Sequence, residues 1–229
     1  MQELTQVLQK HGSEFQKVVA FNPATDKLFR FDFTGANTEL GEADLADTER
    51  FAAYINHKLQ STGSKYGIGG YNENRVLYRR SELFDGAEPR TIHLGMDIWG
   101  AAGTSVYTPL GGTVHSFASN NTFGDYGATV ILQHQLDTMV FHTLYGHLSL
   151  NDLVQLKEGK YISRGEVIGH FGEAGENGNW PPHLHFQVIG DMRIKRGDYP
   201  GVCSIAESEK YLANCPDPDL ILQMMKYCQ

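Results

Sequence analysis

Apolar positions in this chain follow two rhythms. Near the start, Leu4, Val7 and Leu8 recur at helical spacing and predict a short helix over residues 2–10. Residues 18–21 and 28–33 read as strands, parted by the turn cluster Asn22-Pro23-Ala24-Thr25-Asp26. In the second strand Phe29, Phe31 and Phe33 share a face, with Leu28 set apart from them. A stronger helix follows. Asp47 or Thr48 can cap it, and Phe51, Tyr54, Ile55 and Leu59 form its apolar stripe before Ser61-Thr62-Gly63 ends it. Gly67, Gly69 and Gly70 then predict a flexible passage, and residues 76–78 a further strand.

From about residue 91 to 189 the rhythm changes to short apolar runs between glycine turns. The runs at 106–110, 113–117, 128–132, 139–145, 167–171 and 186–189 predict an antiparallel β domain, a sandwich or a partly open barrel. The tail from 196 onward reads as loop, with one short helix around 220–226.

Charge narrows the class. The 229 residues carry 19 basic and 27 acidic side chains, a net charge of −8. A protein that neutralises a nucleic-acid backbone needs a basic face, so no nucleic-acid partner is expected. No apolar stretch approaches the roughly 20 residues of a membrane span, and residues 1–6 lack the basic and apolar regions of a signal peptide. The expected location is therefore cytoplasmic, or periplasmic or secreted if a leader has been removed. Cys203, Cys215 and Cys228 are odd in number and have no C-x-x-C spacing, so reduced thiols are expected.

The residues able to do chemistry gather in the β region. His183 and His185 stand two apart at the head of a predicted strand, where i and i+2 share a face. One imidazole can hold a metal while the other handles a proton. His93 and Asp97 are four apart, and on an extended or gently bent strand they face the same side. With one histidine of the pair they give two nitrogens and one carboxylate oxygen. Zinc accepts that set and keeps a fourth position for water, although iron also suits it. His147 and the non-ligating member of the pair are candidates for taking the water's proton and steadying the oxyanion, since imidazole titrates near neutrality.

Taken in order, several pieces of the chain resemble a known family. They are His93-Leu94-Gly95-Met96-Asp97, Ala102-Gly103-Thr104-Ser105-Val106-Tyr107, Gly112-Thr113-Val114, Thr143-Leu144-Tyr145-Gly146-His147-Leu148-Ser149, Gly165-Glu166-Val167-Ile168-Gly169 and Pro182-His183-Leu184-His185-Phe186. The family is that of the lysostaphin- and LytM-type zinc endopeptidases, the M23 metallopeptidases. The resemblance implies a mainly β fold, an antiparallel sheet forming a groove with one zinc ion on its floor. It implies His93, Asp97 and His185 as zinc ligands and His147 and His183 as the catalytic pair. It also implies a peptide or peptidoglycan-derived substrate, cut at Gly-Gly or D-Ala-containing bonds. On this reading residues 1–85 are an α+β extension packing on or covering the core, 86–195 are the peptidase core, and 196–229 are a C-terminal extension.

The pattern departs from the family at one point. Several members carry a tyrosine just before the first ligand, whereas here Glu88-Pro89-Arg90-Thr91-Ile92 contains none and the next one upstream is Tyr78. Arg90 is one candidate substitute donor. The acidic charge and absent leader support an alternative, a cytoplasmic zinc module with a binding or regulatory role, related to modules fused to aminotransferase- and kinase-like enzymes. Residues 70–74 could also lie over the groove and place Asn72, Glu73 or Asn74 on the metal's open position. Trp180 either walls the groove or packs its own loop. His11, His57, His115, His134, His142 and His170 are expected to be packing or surface residues, and Asp125 a turn residue.

Overall fold

The computed structural model describes residues 2–84 and 88–229. The chain begins with α1 (Gln2–Lys10), β1 (Leu28–Phe31), α2 (Glu42–Ala46), α3 (Thr48–Thr62) and β2 (Tyr66–Gly69). Then come β3 (Arg90–His93), β4 (Met96–Trp99), β5 (Ser105–Tyr107), β6 (Gly112–Asn120), β7 (Gly127–Leu136) and β8 (Met139–Leu148). The last elements are β9 (Tyr161–Ile162), β10 (Val167–His170), β11 (His183–Ile189), β12 (Val202–Ser204), α4 (Ser208–Asn214) and α5 (Asp219–Leu222). Among the described residues no helix is long and apolar enough to cross a membrane.

An eight-stranded sheet in the order β1-β2-β4-β11-β8-β7-β6-β9 organises the molecule, and the ribbons β5/β10 and β3/β12 flank it. Its pairs are antiparallel except β1 with β2 at one edge. Strand alternation sorts the centre of the sheet into two chemistries. Met96, Ile98, Leu184, Phe186 and Val188 enter one core with Leu4 and Leu8 of α1 and Ile221 and Leu222 of α5. Asp97, Trp99, His183, His185 and Gln187 occupy the alternate positions of β4 and β11.

A second core lies under α3. Asp47 caps this helix, accepting from the backbone N–H groups of Glu49 and Arg50, and Gly63 closes it at φ +63°. Phe51 and Ile55 pack with Phe31, Phe33, Tyr78, Trp99 and Trp180. Burial of each such side chain contributes about 1.5–3 kcal/mol. The predicted face of β1 is present: Phe31 and Phe33 lie in this core, while Leu28 lies in the first.

Several expected elements differ. Residues 18–21 form no strand; Val18 and Val19 are buried, and the Val18 carbonyl accepts from Tyr107 N–H at 2.8 Å. The glycine passage is β2, a buried strand between β1 and β4. Glycine is required there by crowding, because a Cβ on Gly67 would lie 2.0 Å from the Phe31 ring. Residues 76–78 are not a strand, and a 3-10 turn spans Leu77–Arg80. The sheet is mixed at its edge, not wholly antiparallel, because β1 runs parallel to β2. The tail holds β12 and α4 as well as a last helix that stops at Leu222. The boundary expected between 85 and 86 lies outside the described residues.

His134 is a buried member of β7 whose neutral ring is fully used. Nδ1 donates to the Gly111 carbonyl at 3.0 Å, and Nε2 accepts from the Thr143 hydroxyl at 2.7 Å. Burial pushes its pKa down to about 4, and burial with neighbouring His115 does the same to His142. The unfolded chain takes these protons near pH 6.5, whereas the folded chain resists them until about pH 4. Stability is therefore complete above pH 6.5 and falls as pH drops toward 4, by ~1.4 kcal/mol per unit of pKa depression. Urea denaturation at pH 7.5 and pH 5 should show a lower midpoint at pH 5, and His134→Gln should narrow the difference.

Candidate metal centre

His93 closes β3, Asp97 lies in β4 and His185 in β11. The β4–β11 register sets Asp97 opposite His185. His93 reaches the same point because the chain breaks at Leu94-Gly95 between β3 and β4, not because one strand carries both residues. His93, Asp97 and His185 are brought together with their side chains buried. His93 Nε2 lies 3.0 Å from His185 Nδ1, Asp97 Oδ1 lies 3.1 Å from His185 Nδ1, and His93 Nε2 lies 3.3 Å from Asp97 Oδ1.

The outer partners set the protons. His93 Nδ1 is 2.7 Å from the Gly70 carbonyl, which can only accept, so Nδ1 carries the hydrogen and Nε2 the lone pair. The Gln187 amide Nε2 donates to the Pro200 carbonyl at 3.1 Å, which turns its Oε1 toward His185. His185 Nε2–H donates to that oxygen at 3.0 Å, leaving Nδ1 as the lone-pair atom. Two imidazole lone pairs and a carboxylate oxygen therefore converge with no proton between them. That arrangement is repulsive without a cation. A tetrahedral ion with bonds of 2.0–2.1 Å separates its ligand atoms by about 3.3 Å, close to the three separations here. The residues fit a zinc ion.

Asp97 Oδ2 faces away from this cluster and accepts from Arg75 Nη1 at 2.5 Å. Burial opposes the charge of Asp97, but His93 and the Arg75 guanidinium hold its carboxyl well below the usual carboxylate range. Burial pushes His93 down to about 4, with Arg75 adding to the effect, so the ring is neutral and able to ligate near pH 7.

His147 and His183 stand beside the cluster, their rings 4.0 Å apart. His147 lies at φ +62°, an uncommon conformation for a non-glycine residue, and its N–H is held by the Tyr126 carbonyl at 2.7 Å. Its Nδ1 donates to the Asn177 carbonyl at 2.8 Å, and His183 Nδ1 donates to the Pro181 carbonyl at 2.8 Å. Each Nε2 is thus a lone-pair atom, and both rings line one cavity of about 210 Å³ with Asp97 and His185. Burial leads the causes that keep both rings neutral, pushing His183 down to about 4 and His147 well below 6.5. Trp99 stacks on His183 at 3.9 Å.

Asn72 and Asn74 are exposed, and the chain around them pairs with β3 through Asn72 N–H to the His93 carbonyl and His93 N–H to the Glu73 carbonyl. The Glu73 carboxylate meets Arg75 Nε at 2.7 Å, so none of the three occupies the metal cluster. Trp180 is 3% exposed and forms part of the cavity wall. Tyr78, far upstream of His93, is folded into the same wall, its ring 6.4 Å from that of His93. Arg90 also lines the cavity.

Sequence reasoning missed Arg75, Tyr126, Asn177 and Gln187. Gln187 was within reach, since the period of two that pairs His183 with His185 puts it on the same face. Asn177 braces the loop before β11, donating to the Gly172 and Trp180 carbonyls and accepting from Trp180 N–H. Nothing in local spacing marks Arg75.

The profile described as peptidase family M23 matches residues 91–196. Among solved structures, a zinc-containing peptidase from Vibrio cholerae is 27% identical, with 52% of this chain and 31% of that one covered and a TM-score of 0.38. Csd3 from Helicobacter pylori is 24% identical over 55% of this chain and 32% of its own, with a TM-score of 0.35. The catalytic domain of lysostaphin, an antimicrobial peptidase from Staphylococcus simulans, is 23% identical over 75% of this chain and 97% of its own, at a TM-score of 0.44. The chain thus spans about a third of the length of the first two. No curated protein matches it.

Gly95 offers a direct check of the centre. A Cβ there would lie 2.5 Å from His185 Cε1 and Nε2 and 2.8 Å from the Phe186 carbonyl oxygen. Gly95→Ala should push the His185 ring off its position and weaken zinc binding by about 10–100-fold, read by competition with a chromogenic chelator.

Proposed function

Because residues 91–196 match the profile of peptidase family M23, we propose that this protein is a zinc-dependent endopeptidase. The observation that carries the reading is the shared cavity. Three buried lone-pair donors converge on one point, and two further imidazoles of fixed tautomer line the same space. His93, Asp97 and His185 would hold the ion. When bound, zinc supplies Lewis-acid polarisation of a peptide carbonyl and acidification of the attacking water.

The chain's own groups do the rest. His147 and His183 are neutral with Nε2 unprotonated, so either can accept the proton of the attacking water and return it to the leaving amine. Their Nδ1 bonds to backbone carbonyls steady the imidazolium formed in between. Tyr78 supplies the hydroxyl absent just upstream of His93. Burial raises its pKa, so the phenol stays protonated and can donate toward a developing oxyanion. Trp99 holds the His183 ring plane, and the surrounding aromatic wall limits water.

The cavity is smaller than the roughly 300–1,000 Å³ typical of small-molecule pockets, which favours small residues on either side of the scissile bond. This supports Gly-Gly or D-Ala-containing peptides of the peptidoglycan type as substrates. Zinc-loaded protein should cleave such peptides in preference to bulky L-peptides, as followed by mass spectrometry. His147→Ala and His183→Ala should each lower kcat by about 10²–10⁴-fold while retaining one zinc per chain. Full activity in either variant would remove that residue from the mechanism. Bound zinc with no cleavage across the panel would favour the binding module instead.

A further inference from the structure

Arg75 is the one cation in contact with the ligand cluster, among the described residues, and it comes from outside the family-matched segment. We propose that it is a positioning residue that makes Asp97 a single-oxygen ligand, and that the segment of residues 69–78 thereby completes the metal centre. The proposal rests on the metal reading above and adds how the first coordination sphere is shaped.

The two oxygens of Asp97 have separate tasks. Oδ1 faces His93 and His185, whereas Oδ2 is held by Arg75 Nη1. A carboxylate with both oxygens free can chelate a cation with both and use up a coordination position. The guanidinium fork prevents that by occupying Oδ2. Arg75 is itself immobilised: it is 1% exposed, Nε donates to Glu73 Oε2 at 2.7 Å, Nη1 to the Tyr78 hydroxyl at 3.2 Å, and Nη2 to the Gly70 carbonyl at 3.2 Å. The Phe33 ring lies 5.3 Å from its guanidinium carbon.

The Gly70 carbonyl is the link between two ligands. It accepts from His93 Nδ1 as well as from Arg75 Nη2, so one backbone oxygen orients His93 directly and Asp97 through arginine. The backbone is built to admit this side chain. A Cβ on Gly69 would lie 2.6 Å from Arg75 Nη2, and Gly69 is paired with Asp97 in the β2–β4 register. Gly69 of β2 therefore makes room for the arginine that reaches the ligand beside it. Arg75 also places one positive charge next to the metal ligand, and Glu73 balances it, so the clamp adds no net charge.

The test is cobalt(II) substitution in the full chain, with zinc affinity measured alongside by chelator competition. Parent protein should show the intense visible bands of four-coordinate cobalt. Arg75→Gln frees Asp97 Oδ2, so its bands should fall by about half or more as the ion gains a fifth ligand, and zinc should bind about 10–100-fold more weakly. Arg75→Lys keeps the charge but not the fork and should fall between the two. If Arg75→Gln does not fold, Arg75→Lys and Glu73→Gln decide the matter by the same spectra. Folded variants with parent-like bands and zinc affinities within about two-fold of parent would overturn the role of Arg75, since a purely structural arginine would alter stability alone. A parent protein that takes up neither metal would overturn the metal reading itself.

Discussion

The site depends on the burial of one carboxylate. Asp97 is 2% exposed, and an ionised group so placed survives only if both oxygens find compensation. Arg75 provides it on one side, and the converging histidines define a cation position on the other. Removing one partner of a buried ion pair typically costs about 3–5 kcal/mol, which is of the order of a domain's whole stability. The pairing is therefore as much a constraint on folding as on chemistry. It explains why β2, the Gly70 carbonyl and Arg75 are packed against the candidate ligands His93 and Asp97 instead of lying apart from them.

Around that carboxylate the sheet separates two environments by alternation alone. In β4 and β11 every second side chain enters the apolar core, which makes the backbone rigid. The alternate positions carry Asp97, His183, His185 and Gln187, each held by a partner from another element. Rigidity matters because metal ligands and proton-transfer groups must hold position to within a fraction of an ångström. The fixed tautomers of His147 and His183 follow from the same economy: backbone carbonyls of the loop before β11 take their Nδ1 protons, and Asn177 holds that loop in shape.

Glycine does much of the spatial work. Gly95 lies under the His185 ring, Gly146 accommodates the Tyr126 ring, and Gly69 admits Arg75. For Gly95 and Gly146 the reason is a side chain distant in sequence, and for Gly69 it is one that folds back from the following turn. That is why the glycines of β2 read as a loose passage from sequence and fold as a buried strand. A run with little side-chain volume carries no hydrophobic period, although its strand pairing is sound.

The sequence by itself determined the β rhythm of residues 91–189, a helix begun at Asp47 or Thr48, and the side chains whose donor atoms could ligate a metal or take a proton. These are local properties: strand period, capping chemistry and the donor atoms of particular side chains. Leu28 and the phenylalanines of β1 sorted to opposite cores for the same reason. Tertiary structure alone decided that the chain bends at Gly95 to bring His93 onto Asp97, that Tyr78 returns to the cavity wall, and that Arg75 takes the second carboxylate oxygen. It also decided which nitrogen of each histidine is free, because that choice belongs to the carbonyl or amide facing the ring. Those outcomes depend on contacts between residues far apart along the chain, and no local period encodes them.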